Sequence, residues 1–331
     1  MISCLRDAGV DVVERHVPVW EGREHKFAAG VTAAARLAAA EARLLRATGE
    51  EFDALIVGYP GHFDLPAAKR TAQRRPVVFN PLVSLADTLV EDRARFRRGS
   101  IAARLLTRFD RVAFRAADLV VADTDEHAKL FRDLGARRVD VCLVGAEERV
   151  FRPGWQMHEP FIALFIGKLI PLHGIETVLS AARLAPEIQF RVVGSGQLEH
   201  VLESRPPNVD WVRWVEYPKL PAHLQSCGCA LGIFGTTAKA RSVIPNKVFQ
   251  ALACGAPVIT ADTPAIHELG EDALVLVPPG DAQALASAIR LLANDGPLRA
   301  ELSARGLTAY SERASEAILG ARWRALIEEL L

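Results

Sequence analysis

The sequence carries no net charge: 40 Lys and Arg are matched by 40 Asp and Glu across 331 residues. That balance removes the general pull toward nucleic acid or membrane that a strongly basic chain would have. The chain also lacks any apolar run long enough to span a bilayer, and no signal-peptide pattern opens it. Cysteine is sparse and odd in number: Cys4, Cys142, Cys227, Cys229 and Cys254. None of their spacings is that of a zinc or redox site, and Cys227-Gly228-Cys229 is one residue too tight for Cys-x-x-Cys. Structural thiols in a reducing cytoplasm are therefore expected. The charge that is present is unevenly placed. From Arg93 to Arg115 there are eight arginines (93, 95, 97, 98, 104, 108, 111 and 115) against one acid, Asp110. Arg104, Arg108, Arg111 and Arg115 recur at helical spacing and form one basic stripe. It reads either as a solvated helix face or as a patch for anionic lipid or an anionic acceptor, a peripheral contact at the inner membrane face.

Hydrophobic residues make up 50% of the chain and charged residues 24%, the balance of a folded globular protein. Short β-branched runs alternate with longer helical segments, which predicts parallel α/β layers. In the first half the predicted strands are Val12–Val17, Ala54–Val57, Val77–Phe79, Leu119–Ala122 and Val139–Val144. Predicted helices lie at Phe27–Thr48, Ile101–Ala116 and Glu126–Leu134, the first and last stopped by Gly49 and Gly135. The rhythm breaks at Arg152-Pro153-Gly154, and a fresh strand begins at Phe161. The expected organisation is a first Rossmann-like domain over 1–152, a second over 153–314, and a terminal helix over 315–331 with an apolar stripe of Ile318, Trp323, Leu326, Ile327 and Leu330. In the second half, strands are predicted near 161–166, 189–193, 209–212, 229–234, 257–260 and 274–277. A doubly wound domain opens with its central strand and a tight turn. Here Met1–Ala8 reads as the end of the first helix, so that strand is expected to lie upstream of the sequence or to be replaced by another segment.

Three segments carry candidate chemistry. Gly167-Lys168-Leu169-Ile170-Pro171-Leu172-His173-Gly174 follows a buried strand and opens a helix, a place where free amides and the positive helix end favour phosphate. Val193-Gly194-Ser195-Gly196 is a second strand-to-helix turn, without the third glycine of a dinucleotide fingerprint. The third runs from Ser242 to Thr260, with Pro245 suited to a helix start and Gly255 to the left-handed residue after its last turn. Between them the helix presents Asn246 and Lys247 in its first turn and Gln250 one turn later. Asp123-Thr124-Asp125 looks like a metal-nucleotide Asp-x-Asp, but it opens a helix and is better read as a cap.

As an ordered set, Gly-Lys-Leu-Ile-Pro-Leu-His-Gly, Val-Gly-Ser-Gly and Ile-Pro-Asn-Lys-Val-Phe-Gln-Ala-Leu-Ala-Cys-Gly-Ala-Pro-Val-Ile-Thr resemble the donor domain of glycosyltransferase family 4 over about residues 155–312. Val277-Pro278-Pro279-Gly280-Asp281 is similar to that family's closing strand and turn, and residues 144–153 to its interdomain hinge. The resemblance implies the GT-B fold, two Rossmann-like domains facing a cleft, here without the first strand of the first domain. It implies a retaining, hexosyltransferase-type enzyme that moves a sugar from a nucleotide diphosphate sugar to a glycan, lipid-linked or small-molecule acceptor, as in cell envelope glycan biosynthesis. No cofactor, no required metal and no nucleic-acid partner are implied.

By the same resemblance Lys168 and His173 are the catalytic cations on the donor diphosphate, and Gly167, Gly194, Ser195, Gly196, Asn246 and Lys247 bind the donor. The family's Glu pair, separated by seven residues, is replaced by Ser242 and Gln250, which removes its usual carboxylate from the sugar. The family's His after the strand ending Phe79-Asn80-Pro81 is absent as well, and Asp87 and Asp92 are candidate acceptor-side groups. Rival expectations are a nucleotide-sugar epimerase of the same fold and a catalytically degenerate donor-binding subunit.

Overall fold

A computed structural model of the chain describes residues 1–19, 36, 39–44, 51–92 and 95–331; the side chains of Glu91, Asp92 and Glu271 are outside the description. Most of the helix expected over Phe27–Thr48 and Arg93 of the basic run fall outside it, although residues 39–44 are helical.

In the first half, α1 (Ile2–Asp7) is followed by β1 (Leu55–Val57), α2 (Leu65–Ala72), β2 (Val77–Phe79), a π-helical turn (Asp87–Asp92), α3 (Ile101–Ala116), β3 (Leu119–Ala122), α4 (Asp125–Asp133) and β4 (Val139–Val141). The four strands pair in chain order, all parallel. Every residue of β2 and β3 is buried, which is why they read as continuous apolar runs rather than alternating ones. The Val12–Val17 strand does not form: residues 11–18 have no regular structure, and most are exposed. The described strands β1 to β4 are contiguous, and the outer edges of β1 and β4 have no described strand neighbour.

In the second half the elements are β5 (Ile162–Ile166), α5 (Ile175–Leu184), β6 (Gln189–Val193), β7 (Val209–Val212), α6 (Leu220–Gln225), β8 (Cys229–Leu231), α7 (Ala238–Ser242), α8 (Asn246–Cys254), β9 (Val258–Ala261), β10 (Val275–Val277), α9 (Ala282–Asn294) and α10 (Gly296–Arg313). Their parallel sheet has the order β10-β9-β8-β5-β6-β7. The chain winds outward one way from β5 to β7, then returns to the other side of β5 and winds through β8, β9 and β10. The direction reverses between β5 and β8, so the loops leaving their carboxyl ends diverge and open a crevice. Polar side chains cap the helices where the sequence offers them: Asp281 accepts from Ala284 N at 2.9 Å and Asp295 from Leu298 N at 2.9 Å.

The last helix, α11 (Glu316–Glu328), lies against α1 and the first sheet. Leu319, Trp323, Leu326 and Ile327 share one buried cluster with Cys4, Leu5, Val78, Leu119 and Val121, whereas Ile318 is 43% exposed. The two passages of chain between the halves touch. The Tyr310 hydroxyl bonds Ala146 O at 3.4 Å and Glu148 Oε1 at 3.2 Å, and Glu148 Oε1 also accepts from Glu316 N at 2.9 Å. No described helix is long and apolar enough to cross a membrane. All five cysteines are free and buried, and burial pushes the Cys142 and Cys254 thiols up to about 12.

Candidate functional site

The site is built at the switch point of the second sheet. The turn after β5 is stitched to the turn after β6: Gly167 N donates to Val193 O at 2.9 Å, Leu169 N to Ser195 O at 3.0 Å, and Leu198 N to Leu169 O at 2.9 Å. Gly194 is required by this contact, since a Cβ there would stand 1.9 Å from Gly167 O. The close approach that the Gly-x-Gly pattern permits is therefore to the neighbouring turn. Ser195 and Gly196 are exposed at its lip. On the other side, Phe234 N, in the loop after β8, donates to His173 O at 3.2 Å.

Three basic side chains gather on this framework. Lys247 sits in the first turn of α8. Its side chain is buried, with Nζ 3.6 Å from the centre of the Phe165 ring and without a hydrogen-bond partner. A Cβ on Gly167 would stand 2.8 Å from that Nζ, so the amine lies directly beneath the β5 turn. Burial alone holds it well below the usual lysine range. An amine taken from water with only a ring face for company costs stability unless a ligand supplies the missing charge. His173 is the second basic group: its Cε1 would stand 3.3 Å from the same Cβ position. Its Nδ1 lies 2.6 Å from Lys168 O, which places the N–H of a neutral ring on that carbonyl. Gripping an anion through Nε2 then requires the imidazolium form. Lys168 is the third, exposed on the turn itself. Asn246 is exposed beside Lys247, at the start of a helix whose first-turn amides have no side-chain cap. Gln250, one turn along, lies beside the Tyr217 hydroxyl together with Glu147.

The first half reaches this site through its loops. Lys239 of α7, 6% exposed, donates to Thr88 Oγ1 at 2.8 Å and stands 3.5 Å from Asp87 Oδ2. Asp87 thus faces the second half and is held by it, whereas the side chain of Asp92 lies outside the described residues. Ser242, three residues after Lys239, presents its carbonyl to Thr124 Oγ1 at 2.7 Å. Thr124 also caps α4 by accepting from His127 N at 3.1 Å, and Asp123 Oδ1 pairs with His127 Nδ1 at 2.5 Å. The Asp-x-Asp segment is thereby occupied within the fold. Glu268 accepts from Asp125 N at 2.9 Å across the same seam, and burial raises its carboxyl to about 7. Behind the cleft, buried Asp110 accepts from Ser84 Oγ at 2.5 Å, Leu85 N at 3.0 Å and Ala86 N at 2.9 Å, and stands 3.3 Å from His62 Nε2. That cluster fixes the loop leading to Asp87. Lys239, Glu268 and Asp110 were not singled out as site residues from the sequence: each acts on residues far away in the chain, and no local pattern marks them.

Residues 3–146 match the family described as glycosyl transferase 4-like domain, and residues 160–295 match that described as glycosyl transferases group 1. No curated protein sequence matches at a significant level. Among solved structures, the chain is similar to sucrose-phosphate synthase from Thermosynechococcus elongatus, with a TM-score of 0.72 and 16% identity over 90% of this chain and 78% of that one. It is similar to HepE of Anabaena in complex with UDP, with a TM-score of 0.66 and 18% identity over 89% of this chain and 82% of that one. It is also similar to trehalose-6-phosphate synthase, with a TM-score of 0.68 and 13% identity over 95% of this chain and 83% of that one. With both halves matched to glycosyl transferase families and the whole built as these structures are, the chain belongs to the group 1 glycosyltransferases of the GT-B fold.

Proposed function

We propose that this glycosyltransferase moves a hexose from a nucleoside diphosphate sugar to an acceptor hydroxyl with retention at the anomeric carbon. The observation that carries the reading is the buried, unpartnered amine of Lys247 beneath the Gly167–Gly174 turn, with His173 beside it and Lys168 on the turn. A diphosphate is the group that needs this arrangement, two or three cations converging on free amides at a switch point. HepE has been solved with UDP and with UDP-glucose, which makes UDP the first nucleotide to test here.

In the proposed reaction the bond from the anomeric carbon to the diphosphate oxygen breaks as the acceptor oxygen bonds the same face of that carbon. The acceptor proton passes to the departing phosphate oxygen, so products are a glycoside and a nucleoside diphosphate, with no side-chain nucleophile. Charge gathers on the leaving diphosphate, where Lys168, His173, Lys247 and the amides of α8 stabilise it. Gln250 bonds the ribose, and Asp87 borders the acceptor. Ser242 offers the sugar a hydroxyl where the resemblance leads one to expect a carboxylate. Engagement of Asp123 and Thr124 within the fold supports a reaction without a required metal. The setting we propose is the cytoplasm, in the assembly of cell envelope glycans.

The test is turnover of UDP-hexose with Lys168→Ala. The expected loss is about 10²-fold or more, the scale for removing one charge-stabilising donor. Unchanged turnover sinks the assignment. Donor consumed without any acceptor would instead indicate an epimerase.

A further inference from the structure

Helix α3 has two faces with opposite demands. Ala103, Asp110, Ala113 and Phe114 are buried, and Phe114 stacks on Phe131 with ring centroids 4.7 Å apart. On the opposite face two lines of side chains run side by side along the axis. One is apolar and exposed to solvent: Ile101 at 77%, Leu105 at 61% and Val112 at 60%. The other is the arginine row Arg104, Arg108, Arg111 and Arg115, which lines a groove of about 560 Å³. The one acid of the helix, Asp110, points the other way into the protein and is bonded to Ser84, Leu85 and Ala86, so it does not neutralise the row.

A face that only meets water has no use for three aliphatic side chains in line. An aqueous anion would be served by the arginines alone. We infer that this face of α3 docks the protein on an anionic bilayer surface. Ile101, Leu105 and Val112 enter the acyl boundary while the guanidinium groups meet lipid phosphates. The same helix carries, through Asp110, the loop that ends at Asp87 and Thr88 against Lys239. Docking would hold that side of the cleft close to the lipid surface, the arrangement suited to an acceptor on a lipid anchor.

The inference does not rest on sugar transfer, because vesicle binding is read without donor or acceptor. The experiment is co-sedimentation of the full chain with phosphatidylglycerol–phosphatidylcholine vesicles and with phosphatidylcholine vesicles alone. Binding is expected on the anionic vesicles, weakening as salt rises, and absent on the zwitterionic ones. Arg104→Gln with Arg111→Gln should weaken partition about 25-fold, at roughly fivefold for each arginine. Leu105→Ser with Val112→Ser should weaken it about tenfold at fixed salt. Circular dichroism and the thermal midpoint should be unchanged in both pairs, whose side chains are exposed. Failure of the wild-type chain to bind anionic vesicles overturns the inference, as does undiminished binding by either pair. Capture by heparin without vesicle binding would show a soluble polyanion site instead. Concentration-dependent association abolished by the Leu105 and Val112 changes would show a second copy as the occupant.

Discussion

The two sheets use the same material to different ends. Both are parallel, both have central strands with every residue buried, and both bury them under helices. The second sheet reverses its winding between β5 and β8, and the three basic side chains stand at that reversal. The described strands of the first sheet run in one direction, β1 to β4, and open no such crevice. Its contribution comes from loops instead: Asp87 and Thr88 to Lys239, Thr124 to Ser242, and Asp125 N to Glu268. The proposed anion site thus follows from topology, whereas the partner side is assembled by reach.

The contrast can be broken first at Lys247. Lys247→Met should lower turnover by about 10²- to 10³-fold, the scale of one preorganised charge. It should also leave the thermal midpoint of the ligand-free protein at least as high, because an unpartnered buried amine becomes an apolar side chain of similar length. A midpoint that drops by several degrees would make Lys247 a structural residue. Next comes the seam. Lys239→Ala removes a buried cation of the second half from beside Asp87, whose side chain is 16% exposed. The expected cost is about 3 kcal/mol by denaturant titration, with kcat/KM down roughly tenfold as the cleft loses its registration. Stability equal to wild type would show that the halves close independently of this pair.

A third test separates the halves by proton count. Burial holds Lys247 below its ordinary range, and a His173 that gives Nδ1–H to Lys168 O donates to a phosphate only with Nε2 protonated as well, so a bound diphosphate should favour the charged form of both. UDP binding should therefore take up protons, and affinity should fall as pH rises above the free-enzyme value of Lys247. Calorimetry in buffers of different ionisation heat measures the uptake, which His173→Asn should reduce. Zero uptake at alkaline pH would remove Lys247 from the ligand. The smallest effect belongs to Glu268. Its carboxyl is raised from 4.5 to about 7, so its contribution is complete below the unfolded value and is lost as pH rises through about 7. Glu268→Gln should flatten the decline in thermal midpoint over that window, by less than about 1 kcal/mol for a partly buried group. An identical pH profile in both proteins would place the titration elsewhere.

What the sequence shows follows the same division. Switch-point turns are local objects, so Gly167–Gly174, Gly194–Gly196 and the α8 start can be read directly from strand, glycine and helix order. The burial of Lys247 cannot, because it depends on Phe165 lying 82 positions earlier in the chain. Lys239 with Thr88 and Thr124 with Ser242 are separated by 151 and 118 positions and leave no periodic trace. Val12–Val17 misled because its three valines favour a strand, yet that segment finds no sheet partner among the described residues. The arginine row of α3 was visible as spacing. The aliphatic line beside it was not, since only burial of the opposite face shows that Ile101, Leu105 and Val112 point outward.

The chain passes between the halves twice, and the two passages are in contact. A Cβ on Gly145, whose φ is +72°, would stand 2.5 Å from Ala314 O of the other passage. Two tethers pinned at one point leave a swinging door rather than a loose leash. Opening and shutting becomes rotation about a single pivot, and a bulky residue at Gly145 would wedge it.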